Sequence, residues 1–218
     1  MIKDIIIIGT GGNCIDIVDA IIDINKSCAK YNILGFLDDN PNVQDNVIFG
    51  IPVLGTLKDA CNFPDSLFVN GIGSEFNYYK KSVIIAKTGI GIERFETIIH
   101  PSASISNFSH IGSGTVILQN VTIASNVSVG NHVIILPNTV LSHDDKVGDY
   151  CCIAGGACVS GGCSIGDSVY IGTNAAVRGN LTIGSESLVG MGAVVTKDVP
   201  PRVVVAGCPA KKIRMVYF

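Results

Sequence analysis

Between Ile99 and Pro200 the chain repeats every six residues without interruption, and this period restricts the possible folds more than any other feature. A period of six fits neither the stripe of an amphipathic helix nor the strict alternation of a strand. It predicts a triangular solenoid in which each coil has three flat sides and about 18 residues. The first position of the repeat is isoleucine, valine or leucine in all 17 hexads: Ile99, Ile105, Ile111, Ile117, Ile123, Val129, Ile135, Leu141, Val147, Ile153, Val159, Ile165, Ile171, Val177, Ile183, Val189 and Val195.

Two other positions of the hexad support this solenoid. The fifth is mostly small or β-branched, as a narrow interior requires: Ala103, Ser109, Thr115, Val121, Val127, Val133, Thr139, Cys151, Ala157, Cys163, Val169 and Ala175. The fourth is glycine or asparagine, which tolerate the positive φ of a tight corner, in nine hexads: Gly114, Asn120, Asn126, Asn138, Gly156, Gly162, Asn174, Asn180 and Gly192. We therefore predict a parallel β-helix of about five to six coils.

Residues 1–95 lack the hexad and predict a separate Rossmann-like βαβαβ domain, followed by a β-helix domain over residues 96–218. Apolar residues at helical spacing follow the first of its strands, and residues 75–88 fit a further helix. Three apolar runs have the composition of buried parallel strands: residues 2–8, 33–37 and 67–72.

Glycines and acids in this domain follow the order of a nucleotide-binding unit. The turn after the first strand contains Gly9, Gly11, Gly12 and Asn13, and the second strand ends in Asp38 and Asp39. Glycines let the backbone approach a phosphate at a helix N-terminus, and the acids can accept hydrogen bonds from a ribose or base. The alternative is a strand–helix turn tightened by glycine, with acids that merely open a β-turn. A full dinucleotide needs a larger sheet, so we do not expect NAD.

The composition favours a folded, reduced protein. Of the 218 residues, 47% are hydrophobic and 15% are charged, which supplies enough apolar side chains for two modest domains. The run Ile5–Ile8 is too short to span a bilayer and no signal-peptide pattern follows it, so we expect a cytoplasmic protein. The eight cysteines are then expected to be reduced packing residues, and no CxxC pair indicates zinc.

Charge is distributed unevenly along the chain. The net charge is −3, yet the segment 195–218 has an excess of four positive charges, which leaves the rest at −7. An acidic body argues against nucleic acid as a partner. The basic end fits either a phosphorylated small molecule or a solvated C-terminus.

His143 is the strongest candidate for a catalytic side chain. It occupies a corner position of the coil, where side chains point outward, and Asp144 follows it. Gly161 lies one coil of 18 residues further on, which leaves space beside the imidazole and an accessible backbone N–H. A base, an orienting acid and an oxyanion donor together suit acyl transfer. The alternative is a surface histidine beside an aspartate that only forms the turn.

Asp145 does not fit the pattern, because it falls at the inward fifth position. Either the corner is distorted there or the acid is buried beside His143.

Several segments together resemble one family. The C-terminal segments 192–201 and 205–211 are similar to the terminal signature of hexapeptide-repeat acetyltransferases that use acetyl-CoA. With segments 6–13, 50–55, 68–73, 99–103 and 142–144, the chain resembles the sialic-acid O-acetyltransferase-like (NeuD/PglD-type) family. This resemblance implies a left-handed β-helix and N-acetylation of the 4-amino group of a nucleotide-linked amino sugar, UDP-linked above all, in bacterial surface glycan biosynthesis.

The resemblance also implies roles for individual residues. His143 matches the general base, Asp144 its acid partner, and Gly161 the glycine whose amide faces the thioester carbonyl. The nucleotide-sugar would contact Gly9, Gly11, Gly12, Asn13, Asp38 and Asp39. Acetyl-CoA would contact Cys152, which stands where some members have a histidine, together with Gly161, Gly179, Gly207, Pro209, Ala210 and Lys211. The family further implies a homotrimer with active sites between subunits and direct transfer without a covalent enzyme intermediate.

Three other functions fit the same pattern. One is a sugar O-acetyltransferase acting on a free or CMP-linked acceptor such as sialic acid. Another is a β-helix carbonic anhydrase, for which the spacing of His132 and His143 is unfavourable. The third is a scaffold that binds a nucleotide without catalysis.

Overall fold

The apolar run at the N-terminus forms an interior strand of a five-stranded sheet in the computed structural model, which describes residues 2–216. The strands lie in the order β3-β4-β2-β1-β5, and all are parallel except β3, which pairs antiparallel with β4. Their bounds are β1 Lys3–Ile8, β2 Tyr31–Leu37, β3 Val47–Ile48, β4 Ile51–Gly55 and β5 Leu67–Asn70. Among the described residues the α-helices are α1, Gly12–Ser27, and α2, Lys81–Ala86.

The second connection of this unit, from β2 to β5, contains a 3₁₀-helix in place of an α-helix. After β2 the chain forms the hairpin β3–β4 and then a six-residue 3₁₀-helix, Leu57–Asn62. A capping box between Thr56 and Asp59 stabilises the start of that 3₁₀-helix. The helix expected over residues 75–88 is confined to a 3₁₀ turn, Tyr78–Lys80, that continues into α2.

Residues 98–195 form the predicted β-helix from two-residue strands. Each strand up to Ala176–Val177 pairs in parallel with the strand 18 residues later, as in Thr122 with Val140 and Cys152 with Tyr170. The strands are β6 Ile98–Ile99, β7 Ser104–Ile105, β8 His110–Ile111, β9 Val116–Ile117, β10 Thr122–Ile123, β11 Ser128–Val129, β12 Ile134–Ile135, β13 Val140–Leu141, β14 Lys146–Val147, β15 Cys152–Ile153, β16 Cys158–Val159, β17 Ser164–Ile165, β18 Tyr170–Ile171, β19 Ala176–Val177, β20 Thr182–Ile183, β21 Leu188–Val189 and β22 Val194–Val195.

These strands stack into three flat sheets, here named by the order in which the chain visits them. Face 1 contains β6, β9, β12, β15, β18 and β21; face 2 contains β7, β10, β13, β16, β19 and β22; face 3 contains β8, β11, β14, β17 and β20. The first hexad position is buried from Ile117 onward, and the fifth is buried in the same coils. All nine glycine and asparagine residues at the fourth position have positive φ, which confirms the predicted corners.

Two strands close the C-terminal end of the β-helix. Strand β23, Val203–Ala206, extends face 1 beside β21, and β24, Lys211–Met215, pairs antiparallel with β23. The loop between them lies under face 2, since Val194 N–H donates to Gly207 O and Ala210 N–H donates to Val194 O.

Helix α1 joins the two parts of the molecule. Its apolar residues, among them Ile17 and Ile21, pack in one cluster with residues of the N-terminal sheet and with Val116 and Ile134 of face 1. His100 at the start of the β-helix bonds to Asp23 of α1 with an Nε2–Oδ2 distance of 3.0 Å. The N-terminal domain therefore covers face 1 and leaves the corner between faces 2 and 3 exposed.

Half of the cysteines serve as packing residues in this fold, and the other half are exposed. All eight are free thiols, and four of them are buried: Cys14, Cys151, Cys152 and Cys163.

No helix within residues 2–216 combines the length and the apolar composition that crossing a bilayer requires.

Lys81 is a buried cation at the junction between α2 and the β-helix. Its side chain is fully buried, and its Nζ donates to the carbonyl oxygen of Cys151 at 3.3 Å. Within residues 2–216 no carboxylate lies at ion-pair distance, and burial lowers the pKa of Lys81 to about 8. Below pH 8 both folded and unfolded chains hold the proton, so folding carries the full cost of burying the charge, about 3 kcal/mol.

We therefore expect Lys81→Met to raise the free energy of unfolding at pH 7 by up to about 3 kcal/mol. The gain should shrink as pH rises above 8, because the folded wild-type chain then releases the proton that the unfolded chain still holds. Urea unfolding at pH 7 and pH 10 measures both effects. Lys80→Met, at the exposed neighbouring position, is the control, and a less stable Lys81→Met protein at pH 7 would contradict the prediction.

Candidate active site

His143 lies at the exposed corner between faces 2 and 3, directly after β13. Its side chain is 70% exposed, and its Nδ1 lies 2.7 Å from Oδ2 of Asp144. The other oxygen of Asp144 accepts a hydrogen bond of 2.7 Å from Nδ2 of Asn126, one coil earlier. These hydrogen bonds, that of Asn126 first and that of His143 second, hold the pKa of Asp144 below its usual range.

An ionised carboxylate can only accept hydrogen bonds, so this arrangement selects one tautomer of the neutral imidazole. Nδ1 carries the proton that is donated to Asp144, and the lone pair of Nε2 faces away from the acid. Asp144 also has a φ of 65°, so it forms the turn and orients the ring at the same time. The corner thus presents a free imidazole nitrogen that is able to accept a proton.

Gly161 lies directly beneath the imidazole ring. A Cβ atom at this position would lie 2.6 Å from Cε1 and 2.7 Å from Nε2 of His143, so only glycine fits. Gly162 N–H donates to His143 O at 2.9 Å, which joins the two coils at this corner. Gly179 continues the column, since a Cβ there would meet Gly161 O at 2.8 Å. The corner below His143 is consequently free of side chains over two coils.

This bare corner leads toward the C-terminal loop. Adjacent strands in a sheet are about 4.8 Å apart, so the coil of His143 and that of Lys197 are separated by roughly 14 Å. Gly207, Pro209 and Ala210 lie in the loop under β22, and Lys211 begins β24. An extended ligand along the column would therefore run from the imidazole to a basic end that also includes Lys212 and Arg214.

The glycine turn and the acidic pair meet in a separate cavity of about 520 Å³. Asp38 Oδ2 accepts a hydrogen bond of 2.7 Å from the hydroxyl of Thr10, and Asn13 Nδ2 donates to Gly73 O at 2.7 Å. All six residues predicted to bind the nucleotide-sugar line it: Gly9, Gly11, Gly12, Asn13, Asp38 and Asp39. The cavity lies at the carboxyl ends of β1 and β2 and at the start of α1, where a phosphate is best received.

Other lining residues were not identified from the sequence. Lys87 Nζ lies 2.8 Å from Asp39 Oδ2, and Leu136 and Tyr170 reach the cavity from face 1. Asn126, which completes the chain of hydrogen bonds to His143, was also missed as a site residue. Its position 18 residues before Asp144 was a readable signal, because that spacing places two residues on neighbouring coils.

Cys152 lies far from the corner of His143. Nine residues are half a coil, which places this cysteine on face 1, fully buried, with its thiol donating to Gly73 O at 3.3 Å. Burial raises the pKa of the thiol to about 11, so it is protonated at neutral pH. The structure therefore does not bring Cys152 to Gly161, and a contact with a ligand there would require the thiol to become exposed.

His132, which was considered together with His143 from the sequence, lies at a different corner, between faces 3 and 1. His132 is buried and stacks on Tyr150 with ring centroids 5.2 Å apart, and burial lowers its pKa to about 4. Side chains of histidine, cysteine, aspartate and glutamate in residues 2–216 do not gather in any group of three or more that could hold a metal ion.

Family models match both parts of the chain. The PglD N-terminal domain matches residues 4–84, and the bacterial transferase hexapeptide model, with six repeats, matches residues 162–197. No protein of curated function matches the sequence.

Solved structures match nearly the whole chain. The acetyltransferase domain of PglB from Neisseria gonorrhoeae, in complex with acetyl coenzyme A, is 28% identical with a TM-score of 0.85, and the match covers 98% of this chain and 100% of that one. PerB from Caulobacter crescentus, in complex with CoA and GDP-perosamine, is 28% identical with a TM-score of 0.81 over 98% and 99% of the two chains. WeeI from Acinetobacter baumannii is 26% identical with a TM-score of 0.82 over 97% and 100%.

The fold and the corner site together define a hexapeptide-repeat acyltransferase with a left-handed β-helix. Within that class, the family models and the solved structures that the chain matches are those of the NeuD/PglD-type family of acetyl-CoA-dependent sugar acetyltransferases.

Proposed function

We propose that this protein transfers the acetyl group of acetyl-CoA to the 4-amino group of a nucleotide-linked amino-deoxy sugar. The observation that carries the proposal is the hydrogen-bonded series Asn126–Asp144–His143 held over Gly161, in a chain that also has a nucleotide-sized cavity. The match to PerB with bound GDP-perosamine supports an amino-sugar nucleotide as the acceptor. We infer a UDP-sugar, and surface glycan synthesis in a bacterial cytoplasm, from the resemblance of the sequence.

The geometry supports a direct transfer. The amine of the sugar attacks the thioester carbonyl carbon while Nε2 of His143 accepts a proton from the nitrogen. The backbone N–H of Gly161 stabilises the negative oxygen of the tetrahedral intermediate. When the intermediate collapses, the C–S bond breaks and the thiolate of CoA takes the proton from the imidazolium. Asp144 stabilises that imidazolium and keeps the ring in place.

The cofactor would occupy the corner below His143. Gly161 and Gly179 leave room for the pantetheine arm, and the loop with Gly207, Pro209, Ala210 and Lys211 would contact the adenosine end. The basic residues of this end supply charge for the phosphates. Cys152, with its protonated and buried thiol, is proposed only as a packing neighbour of the acceptor site.

We further propose a homotrimer with each active site between two subunits. The cavity lies against face 1, whereas His143 lies at the corner opposite that face. One side of the triangular coil spans six residues, so the packed interior that separates the cavity from His143 is on the order of 15 Å thick. A single chain cannot bring its own sugar to its own imidazole. A ring of three copies pairs the cavity of one subunit with the corner of the next.

A thiol-release assay with acetyl-CoA tests the proposed function. The acceptor panel contains UDP-, dTDP- and GDP-linked 4-amino sugars, the matching 4-hydroxy sugars, and free and CMP-linked sialic acid. Release of CoA only with amino sugars supports the proposal. Release only with hydroxyl acceptors identifies an O-acetyltransferase, and binding of nucleotide without any release identifies a scaffold.

The role of the cavity leads to a separate prediction. Gly12→Leu should raise the KM for the nucleotide-sugar at least about 100-fold, because a side chain at this position enters open space within the cavity. The fold should be retained, since Gly12 begins α1 and leucine is a better helix former than glycine. Steady-state kinetics and thermal unfolding measure the two effects.

The matched control is Gly89→Leu, which also enters open space but lies outside the cavity lining. Its positive φ of 65° makes it somewhat less stable, yet its KM should be unchanged. A normal KM for Gly12→Leu would show that the nucleotide-sugar binds elsewhere.

A further inference from the structure

Asp145 contributes the one carboxylate in the interior of the β-helix, within the part of the chain that the structure describes. Its side chain is fully buried at the fifth hexad position, which is mostly valine, alanine, threonine or cysteine in other coils. Its Oδ2 has no hydrogen-bond partner. A buried, unpaired carboxyl oxygen destabilises a fold, so packing alone does not explain this residue.

The other oxygen of Asp145 connects the two segments that form the corner site. Oδ1 accepts a hydrogen bond of 2.8 Å from the backbone N–H of Cys163. Asp145 follows His143 by two residues, and Cys163 follows Gly161 by two residues. One buried carboxyl group therefore holds the turn with the imidazole to the coil with the glycine.

Neutral side chains make the same kind of connection in other coils. Thr115 Oγ1 accepts from Val133 N–H at 3.1 Å, and Cys151 Sγ accepts from Val169 N–H at 3.4 Å. The contact at Asp145 is shorter, and an ionised acceptor makes it stronger. The strongest link of this type therefore occurs at the coil where His143 lies over Gly161.

We propose that Asp145 is a positioning residue for acyl transfer: its carboxyl group holds residues 161–163 against the turn 142–145 and thereby fixes the spacing between the imidazole of His143 and the backbone of Gly161. The inference rests on the proposed function, because the spacing affects a rate only if both groups act on one reacting centre. A misplacement of about 1 Å at such a centre lowers a rate by up to about 100-fold.

The titratable groups around Asp145 predict that the activity depends on pH. His143 and Asp144 lie on the same turn, and the thiol of Cys163 faces Asp145 from the next coil. Burial raises the pKa of Asp145 to about 6, against the lowering by the hydrogen bond from Cys163. Above pH 6 the ionised carboxylate is the stronger acceptor, and below it the protonated form holds the coil less firmly. As pH falls, kcat of the wild-type enzyme should thus decrease more steeply than the binding of a single proton would produce.

Three substitutions test the proposal. Asp145→Val removes the link but fits the position, as Val127 and Val133 do, so the protein should be at least as stable as wild type while kcat falls about tenfold or more with little change in KM. Asp145→Asn keeps an acceptor oxygen, so kcat at pH 8 should stay within about threefold and the acid limb should report a single proton. Thr115→Val is the control, because it removes the same type of link remote from His143 and should leave kcat unchanged.

Amide hydrogen exchange supplies a readout that needs no substrate. Exchange at Gly162 and Cys163, whose N–H groups donate to His143 O and Asp145 Oδ1, should accelerate at least about tenfold in Asp145→Val and stay unchanged in Thr115→Val. Wild-type kcat in Asp145→Val, unchanged exchange at these two residues, or an equal loss of kcat in Thr115→Val would each overturn the proposal. If the wild-type enzyme accepts no amino-sugar nucleotide, the proposed function fails, whereas the exchange result still decides whether Asp145 holds this coil.

Discussion

His143→Ala is expected to lower kcat by about 10²–10⁴-fold, the usual contribution of a positioned general base. The KM values for acetyl-CoA and the nucleotide-sugar should change little, because the imidazole acts on the proton released during the reaction. Stability should stay within about 0.5 kcal/mol of wild type, since the side chain is 70% exposed. Steady-state thiol release together with thermal unfolding measures all three quantities.

Two further variants make this result specific. His110→Ala removes an exposed histidine from face 3 and should behave as wild type. Cys152→Ala should retain most activity, because a thiol whose pKa is raised to about 11 by burial is not a nucleophile at neutral pH. A His143→Ala enzyme as active as wild type would contradict the mechanism. A Cys152→Ala enzyme that is inactive and shows no initial burst of CoA release would favour a covalent intermediate.

The β-helix was predictable because its information is local and periodic. Each hexad encodes one strand and one corner, and every coil packs on a copy of itself, so the side chains that face inward follow directly from the spacing. The exposed position of His143 and its contact with Asp144 came from the same arithmetic. Applied further, this arithmetic would also have placed Cys152 half a coil away and Asn126 beside Asp144.

Other parts depend on contacts that no local pattern encodes. Leu136 and Tyr170 line the cavity only because α1 packs on face 1, and nothing in the hexads specifies which face is covered. The hairpin β3–β4 depends on a turn at Phe49 and Gly50, both with positive φ, which phenylalanine rarely adopts. Asp145 remained ambiguous in the sequence because an inward acid contradicts the pattern, and only the hydrogen bond from Cys163 explains how the interior accommodates it.

Mixed trimers of two impaired variants, assayed near the wild-type KM for the nucleotide-sugar, should regain activity if each site is shared between subunits. His143→Ala lacks the base but keeps the cavity, and Gly12→Leu blocks the cavity but keeps the base. In a ring, a site is complete where the base of a Gly12→Leu subunit meets the cavity of a His143→Ala subunit. Every mixed trimer contains one such site in three, whichever variant contributes two copies. Trimers purified through a different tag on each variant should therefore show about one third of wild-type activity.

This outcome separates two arrangements that agree on every single-variant result. If the cavity and the imidazole of the same chain served one site, each chain of a mixed trimer would have one defect and activity would stay at the level of the variants alone. Mixing each variant with itself controls for the tags, and light scattering confirms that the purified species are trimers. The activity of the mixed trimers is expected because of where the two groups lie in one chain. The cavity lies against face 1 and His143 lies at the opposite corner, so both can act on one substrate only when two subunits share the site.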